Sequence, residues 1–192
     1  MALGSLPPVT LIIAAFLLLA GPAAAQSPDL APAPFKVPPT GTRLVWQNLD
    51  SGQRQVSVIG EADGMIVRWT WQGHPGASLG HFCMDCLEAE AAPDGGFMAP
   101  LYPLEVGKAV LFNRSRGGNT WQDEIRVVGT DRLETPAGSF ETFVVRRRSR
   151  TPDESWRAEQ RNWYDPKLGW VLKFEAFDNQ GGRERWQVIQ LD

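Results

Sequence analysis

Residues 163–177 read Trp163-Tyr164-Asp165-Pro166-Lys167-Leu168-Gly169-Trp170-Val171-Leu172-Lys173-Phe174-Glu175-Ala176-Phe177. Two apolar-rich stretches flank Asp165-Pro166-Lys167-Leu168-Gly169, where proline presets φ and glycine supplies a positive φ for a tight reversal. The stretch therefore predicts a strand, a turn and an antiparallel return strand. Beyond the turn, Trp170, Leu172, Phe174 and Ala176 oppose Val171, Lys173, Glu175 and Phe177, so one face is apolar and the other mixed.

The same alternation recurs along most of the chain. Strands are expected near 42–48, 53–61, 65–72, 108–113, 121–133, 141–150, 155–164, 170–177 and 183–191, rich in Val, Ile, Thr, Phe and Trp. Between them lie Asp50-Ser51-Gly52, Asp63-Gly64, Gly117-Gly118-Asn119, Pro136-Ala137-Gly138 and Gln180-Gly181-Gly182, which are hairpin connections by composition. In 65–71, Val67, Trp69 and Trp71 share one face, and Arg68 and Thr70 the other. No long stretch carries a helical period; only 87–92 suits a brief helical turn. The fold class expected is all-β: a curved antiparallel sheet, of half-barrel or β-clam form.

The N-terminal region reads differently. Residues 1–10 carry no charged side chain, 11–20 are uninterruptedly apolar, Gly21-Pro22 ends any helix, and Ala23-Ala24-Ala25 precedes Gln26. This is the pattern of a secretory signal peptide, too short for the roughly 20 residues a bilayer crossing needs. Cleavage before Gln26 is expected, leaving a soluble chain without a transmembrane segment. Because Gln26 is not a cysteine, no lipid anchor is expected there. Residues 26–40 are rich in Pro and Ala and predict an extended, poorly packed leader. The organisation expected is signal peptide 1–25, leader 26–40 and one β-rich domain 41–192, placed in the periplasm or outside a bacterial cell.

A net charge of -3 and a pI near 5.5 offer no basic footprint for nucleic acid. Gly-x-Ser-x-Gly, His-Glu-x-x-His and phosphate-cradling glycine loops are absent, and His74 and His81 are the only histidines. A non-enzymatic role with no cofactor follows as the expectation. Lipid, glycan or another envelope protein is the expected partner.

Two features carry chemistry. His81-Phe82-Cys83-Met84-Asp85-Cys86 holds both cysteines. In an oxidising compartment Cys83 and Cys86 are expected to pair as a local disulfide. The alternatives are a redox pair, disfavoured by Asp85, Glu88 and Glu90 nearby, or a metal site of His81, Cys83 and Cys86 with His74. The order is also wrong for haem attachment, which needs Cys-x-x-Cys-His. The other feature is eight tryptophans. Such residues fill cores, but a few on a concave face also line ligand clefts, and Trp69, Trp71, Trp163 and Trp170 are the candidates. In Arg146-Arg147-Arg148-Ser149-Arg150, strand alternation separates Arg147 from the other three arginines. Those three either pair across strands with Glu159, Glu175 or Glu184, or meet an anion.

Two hairpin motifs add a resemblance. Thr135-Pro136-Ala137-Gly138-Ser139-Phe140-Glu141-Thr142-Phe143 and the 163–171 turn quoted above resemble those of the TapB-like group, an uncharacterised bacterial envelope family. The resemblance covers the C-terminal half. It implies an antiparallel half-barrel in the periplasm, distantly similar to the curved sheets of lipoprotein carriers, and brings no catalytic residues. Cys83 and Cys86 lie outside the shared pattern.

Overall fold

A computed structural model describes residues 28–84, 86, 95–116 and 118–192. The signal segment 1–25 and the helical turn expected at 87–92 lie outside the described residues. Among the described residues ten strands form one antiparallel sheet: β1 Arg43–Asn48, β2 Arg54–Asp63, β3 Ile66–Trp71, β4 His74–Leu79, β5 Ala109–Arg116, β6 Asn119–Thr135, β7 Gly138–Arg150, β8 Arg157–Asp165, β9 Trp170–Asp178 and β10 Arg183–Leu191. Their order is β4-β3-β2-β1-β10-β9-β8-β7-β6-β5. The all-β antiparallel reading holds, and the sheet is open, with β4 and β5 as its edges.

Bulges at Val45/Trp46, Ile59/Ala62, Val127/Gly129 and Trp163/Tyr164 sharpen the twist. The sheet curls enough that β6 approaches β10, although three strands separate them. Inside the curl lie Leu44, Trp46, Ile59, Val67, Ile125, Val127, Phe143, Val145, Tyr164 and Val188, all buried in one cluster.

The connection from β4 to β5 has to travel from one edge of the sheet to the other. Its described residues pack into the core: Phe82, Cys83, Cys86, Met98, Leu101 and Leu104 are buried, and a 3-10 turn at Gly96–Leu101 stacks Phe97 on Phe112 of β5 at 3.9 Å. Lining the inner face this way replaces the second sheet of a sandwich.

One expectation needs correction. Residues 28–40 do not form a poorly packed leader, and the folded unit does not wait for Gly41. Ala33 is buried and exchanges backbone hydrogen bonds with Leu104 (3.0 and 2.6 Å), while Leu30, Phe35 and Val37 pack on the core. Proline removes one backbone donor per residue, but the apolar side chains between the prolines still find partners. Strand β4 adds to the expected set, and it contains Pro75 and Gly76, residues uncommon inside strands. At an edge, proline leaves no ladder bond broken. Gly76 lies opposite Trp69, and a Cβ there would stand 2.5 Å from its indole Cη2, so the glycine is what lets the ring lie across the strand.

The arginine row divides as the alternation predicts. On the outer face Arg148 pairs with Glu159 (2.9 Å), Arg146 with Glu124 (3.6 Å) and Arg150 with Glu154 (2.7 Å). Glu175 and Glu184 are not their partners; Glu175 meets Lys173 and Glu184 accepts from Trp186 Nε1. On the inner face Arg147 Nε donates to Asp123 Oδ1 (2.9 Å), Arg114 Nε donates to Oδ2 (2.8 Å), and Ser149 Oγ also bonds Oδ1. The Asp123 side chain is fully buried, so this cluster is the polar part of the core.

Candidate functional site

A cleft of about 60 Å³ opens on the inner face of the sheet. Strands β1 to β4 contribute Trp46, Ser57, Trp69, Trp71 and Ser78; β8 and β9 contribute Gln160, Asn162, Trp170, Val171 and Phe174. His81, Phe82 and Met84 close it from the β4–β5 connection. Strand alternation accounts for most of this set: Ser57 on β2, Trp69 and Trp71 on β3, and Gln160 and Asn162 on β8 fall on inward positions. On β9 the bulge opposite Trp163/Tyr164 breaks the period, which puts Val171 on the same side as Phe174.

The rings support one another. Trp46 lies 5.8 Å from Trp71 and 6.0 Å from Phe174, and Trp71 meets Trp69 at 6.4 Å and Trp186 at 5.4 Å, the last two edge-to-face. Such contacts fix ring orientation at about 0.5–1.5 kcal/mol each beyond burial. Trp46 Nε1 donates to Ser57 Oγ (2.9 Å), so the indole is satisfied inside the core. Trp69 and Trp71 are half-buried and Met84 is 49% exposed, which leaves the mouth apolar and uncovered by described residues.

Of the four tryptophans singled out from sequence, Trp69, Trp71 and Trp170 meet at the cleft and Trp163 does not. Trp163 follows Asn162 on β8 and points to the other side of the sheet. There its Nε1 donates to Asp131 Oδ2 (2.9 Å) and Lys173 Nζ lies 4.3 Å above the ring. Trp46 and Phe174 take the place expected of Trp163. Strand alternation already puts Phe174 on the apolar face of β9, whereas nothing local singles out Trp46.

Cys83 and Cys86 form a disulfide with a Cα–Cα distance of 5.5 Å, and both are buried. His81 is committed as well: its Nε2 bonds the backbone carbonyl of Lys36 (2.8 Å). The disulfide occupies both sulfurs that the metal alternative needs, and no group of three or more candidate ligands occurs among the described residues. His74 is exposed at the far end of β4, a strand's length from His81. Mutating both cysteines to alanine removes a very short loop closure. The expected loss is about 2 kcal/mol, read as a lower urea midpoint at unchanged slope.

His81 sits at the inner end of the cleft with φ 71°, a left-handed conformation held by its surroundings. Its ring stacks on Phe35 at 4.8 Å and lies 5.3 Å from Tyr164 and 5.1 Å from Trp170. A carbonyl only accepts, so Nε2 carries the proton and Nδ1 is left as an acceptor. Burial holds the imidazole neutral, lowering its pKa to about 4 against the opposing effect of the Lys36 hydrogen bond. Burial likewise pushes the Tyr102 and Tyr164 hydroxyls up. The Lys36 carbonyl accepts from Tyr164 too (3.4 Å), and a Cβ on Gly169 would stand 2.8 Å from it. The glycine of the 163–171 turn therefore gives the N-terminal segment room to dock, besides supplying a φ of 83°.

No helix of the described residues is long and apolar enough to cross a membrane. No family model matches the chain, and no curated protein matches it. Several solved structures align with the chain. An exported protein with a YmcC-like fold from Bacteroides fragilis aligns at 16% identity and TM-score 0.46, covering 83% of this chain and 99% of that one. A lipoprotein from Parabacteroides distasonis aligns at 14% and 0.45, covering 85% and 100%. The hypothetical lipoprotein YmcC of Escherichia coli aligns at 13% and 0.48, covering 79% and 84%. At these identities and scores nothing of their roles passes to this chain.

Proposed function

We propose that the chain is a non-enzymatic binding or envelope-assembly module of the periplasm or extracellular space, and that its ligand enters the aromatic cleft. The observation that carries this reading is the convergence of Trp46, Trp69, Trp71, Trp170 and Phe174 on one space left open at its mouth. A second inner-face hollow of about 180 Å³, beside Arg114, Arg147 and Ser149, is lined mainly by polar and charged side chains and lacks this aromatic convergence. Mostly apolar pockets with a few convergent polar groups are the usual form of a small-molecule site.

Location rests on two further supports: the apolar 11–20 run ending in Ala23-Ala24-Ala25, and a disulfide of the kind that persists in oxidising compartments. Native mass spectrometry of gently purified protein is expected to show a co-purified lipid or glycan, whose removal changes tryptophan fluorescence. A protein that carries nothing, and whose fluorescence no lipid or glycan alters, would sink the reading.

A further inference from the structure

Among the described residues, the lining of the cleft contains no Asp, Glu, Lys or Arg. It does contain two buried polar atoms with no hydrogen-bond partner: Ser78 Oγ, in a residue 1% exposed, and Nδ1 of His81, in a residue 7% exposed. Buried polar atoms without partners are rare and destabilising, each costing about 1–3 kcal/mol, so a pair beside one cleft calls for an occupant. The two differ in capacity. A serine hydroxyl donates or accepts, whereas Nδ1 only accepts, because the Lys36 carbonyl fixes the proton on Nε2.

Resting on the binding reading above, we propose that the cleft takes the uncharged, hydrogen-bond-donating end of an otherwise apolar molecule, a hydroxyl or primary amide, with its donor on His81 Nδ1 and Ser78 Oγ beside it. An anionic head is excluded by the same lining. A carboxylate or phosphate would face an acceptor at His81 and find no cation, and burying an unpaired charge costs far more than burying a neutral group. The imidazole does not supply that cation at neutral pH, since burial keeps it uncharged. Size agrees. About 60 Å³ is several times the roughly 10–15 Å³ one water needs, enough for a head of a few non-hydrogen atoms. The hydrocarbon remainder then lies along Trp69, Trp71 and Met84 at the mouth.

The test is a tryptophan-fluorescence titration at neutral pH of the full mature chain with decanol, decanamide, decanoate, decyl phosphate and decane. Decanol and decanamide are expected to bind at least tenfold tighter than the two anions and than decane. Ser78→Ala, which leaves the His81–Lys36 bond untouched, and His81→Phe are each expected to bring decanol down to the level of decane, with decane unchanged. Equal or tighter binding of an anion, or a decanol preference that survives both variants, overturns the head-group assignment while leaving the cleft a binding site. Tighter binding of a neutral methyl glycoside than of decanol overturns the apolar remainder. If no probe binds and water alone fills the space, the binding reading falls and takes this inference with it.

Discussion

Replacing Asp123 by asparagine is expected to destabilise the domain by about 3–5 kcal/mol, the largest effect of any single change considered for this protein. The carboxylate is fully buried and holds Arg114 Nε and Arg147 Nε at 2.8 and 2.9 Å, with Ser149 Oγ on the same oxygen as Arg147. Asparagine keeps the volume but removes the charge and turns one acceptor into a donor facing guanidinium. Two buried cations then lose the anion they share. Chemical denaturation of the wild type and the variant gives the number. Combining Asp123→Asn with Arg147→Met is expected to recover part of the loss, because one of the two cations that the carboxylate held is removed too. Additive losses in the double variant would show that the pair is not coupled.

The second large effect is with pH. His81 has its pKa lowered from 6.5 to about 4 by burial. Above pH 6.5 the imidazole is neutral in both folded and unfolded chains and contributes nothing. Between 6.5 and about 4 the unfolded chain takes up a proton that the folded one refuses, so stability falls as pH falls. At 1.36 kcal/mol per unit, the loss reaches about 3 kcal/mol near pH 4. Asp50, Glu124, Asp153, Glu159 and Asp192, whose partners lower their pKa values, add their own loss only at or below the ordinary carboxylate range, near 3.8 to 4.5. The slope between pH 6.5 and 5 is therefore expected to belong to His81 and to vanish in His81→Phe. An unchanged slope in that variant would assign it to other groups.

How much of this was legible in the sequence differs from feature to feature. Hairpins declare themselves through local chemistry, and strands β1 to β3 and β5 to β10 follow from alternation and turn residues. Strand β4 is hidden because Pro75 and Gly76 break the usual composition, and only an edge position beside Trp69 makes them suitable. The docking of 28–40 is hidden for a related reason: proline-rich composition reports lost backbone donors, not the burial of Ala33 or Phe35.

At the site, Trp69 and Trp71 follow from alternation along β3, and Trp163 faces away because it lies one step from inward-facing Asn162 on β8; Trp170 reaches the cleft where an irregularity against β8 breaks the period of β9. Nothing local predicts that His81 lends one nitrogen to Lys36, 45 residues earlier, and leaves the other without a partner. Nor does it predict Asp123 beneath Arg147, a pairing set by β6–β7 register. Long-range partners are set by topology.

The pairing of β1 with β10 joins residues 44–48 to residues 186–191, which lie at opposite ends of the domain's sequence. Apart from that ladder, every neighbouring pair in the sheet is consecutive along the chain, so the protein is two local meanders joined at a single seam. High sequence separation makes that seam the entropically slow contact, and the one expected to form last. The cleft straddles it, with Trp46, Ser57, Trp69, Trp71 and Ser78 on one bank and Gln160, Asn162, Trp170, Val171 and Phe174 on the other. Neither meander possesses the cleft alone. A molecule seated there is a stitch across the latest-formed joint, and by mass action it favours the assembled chain over any species in which the banks have parted.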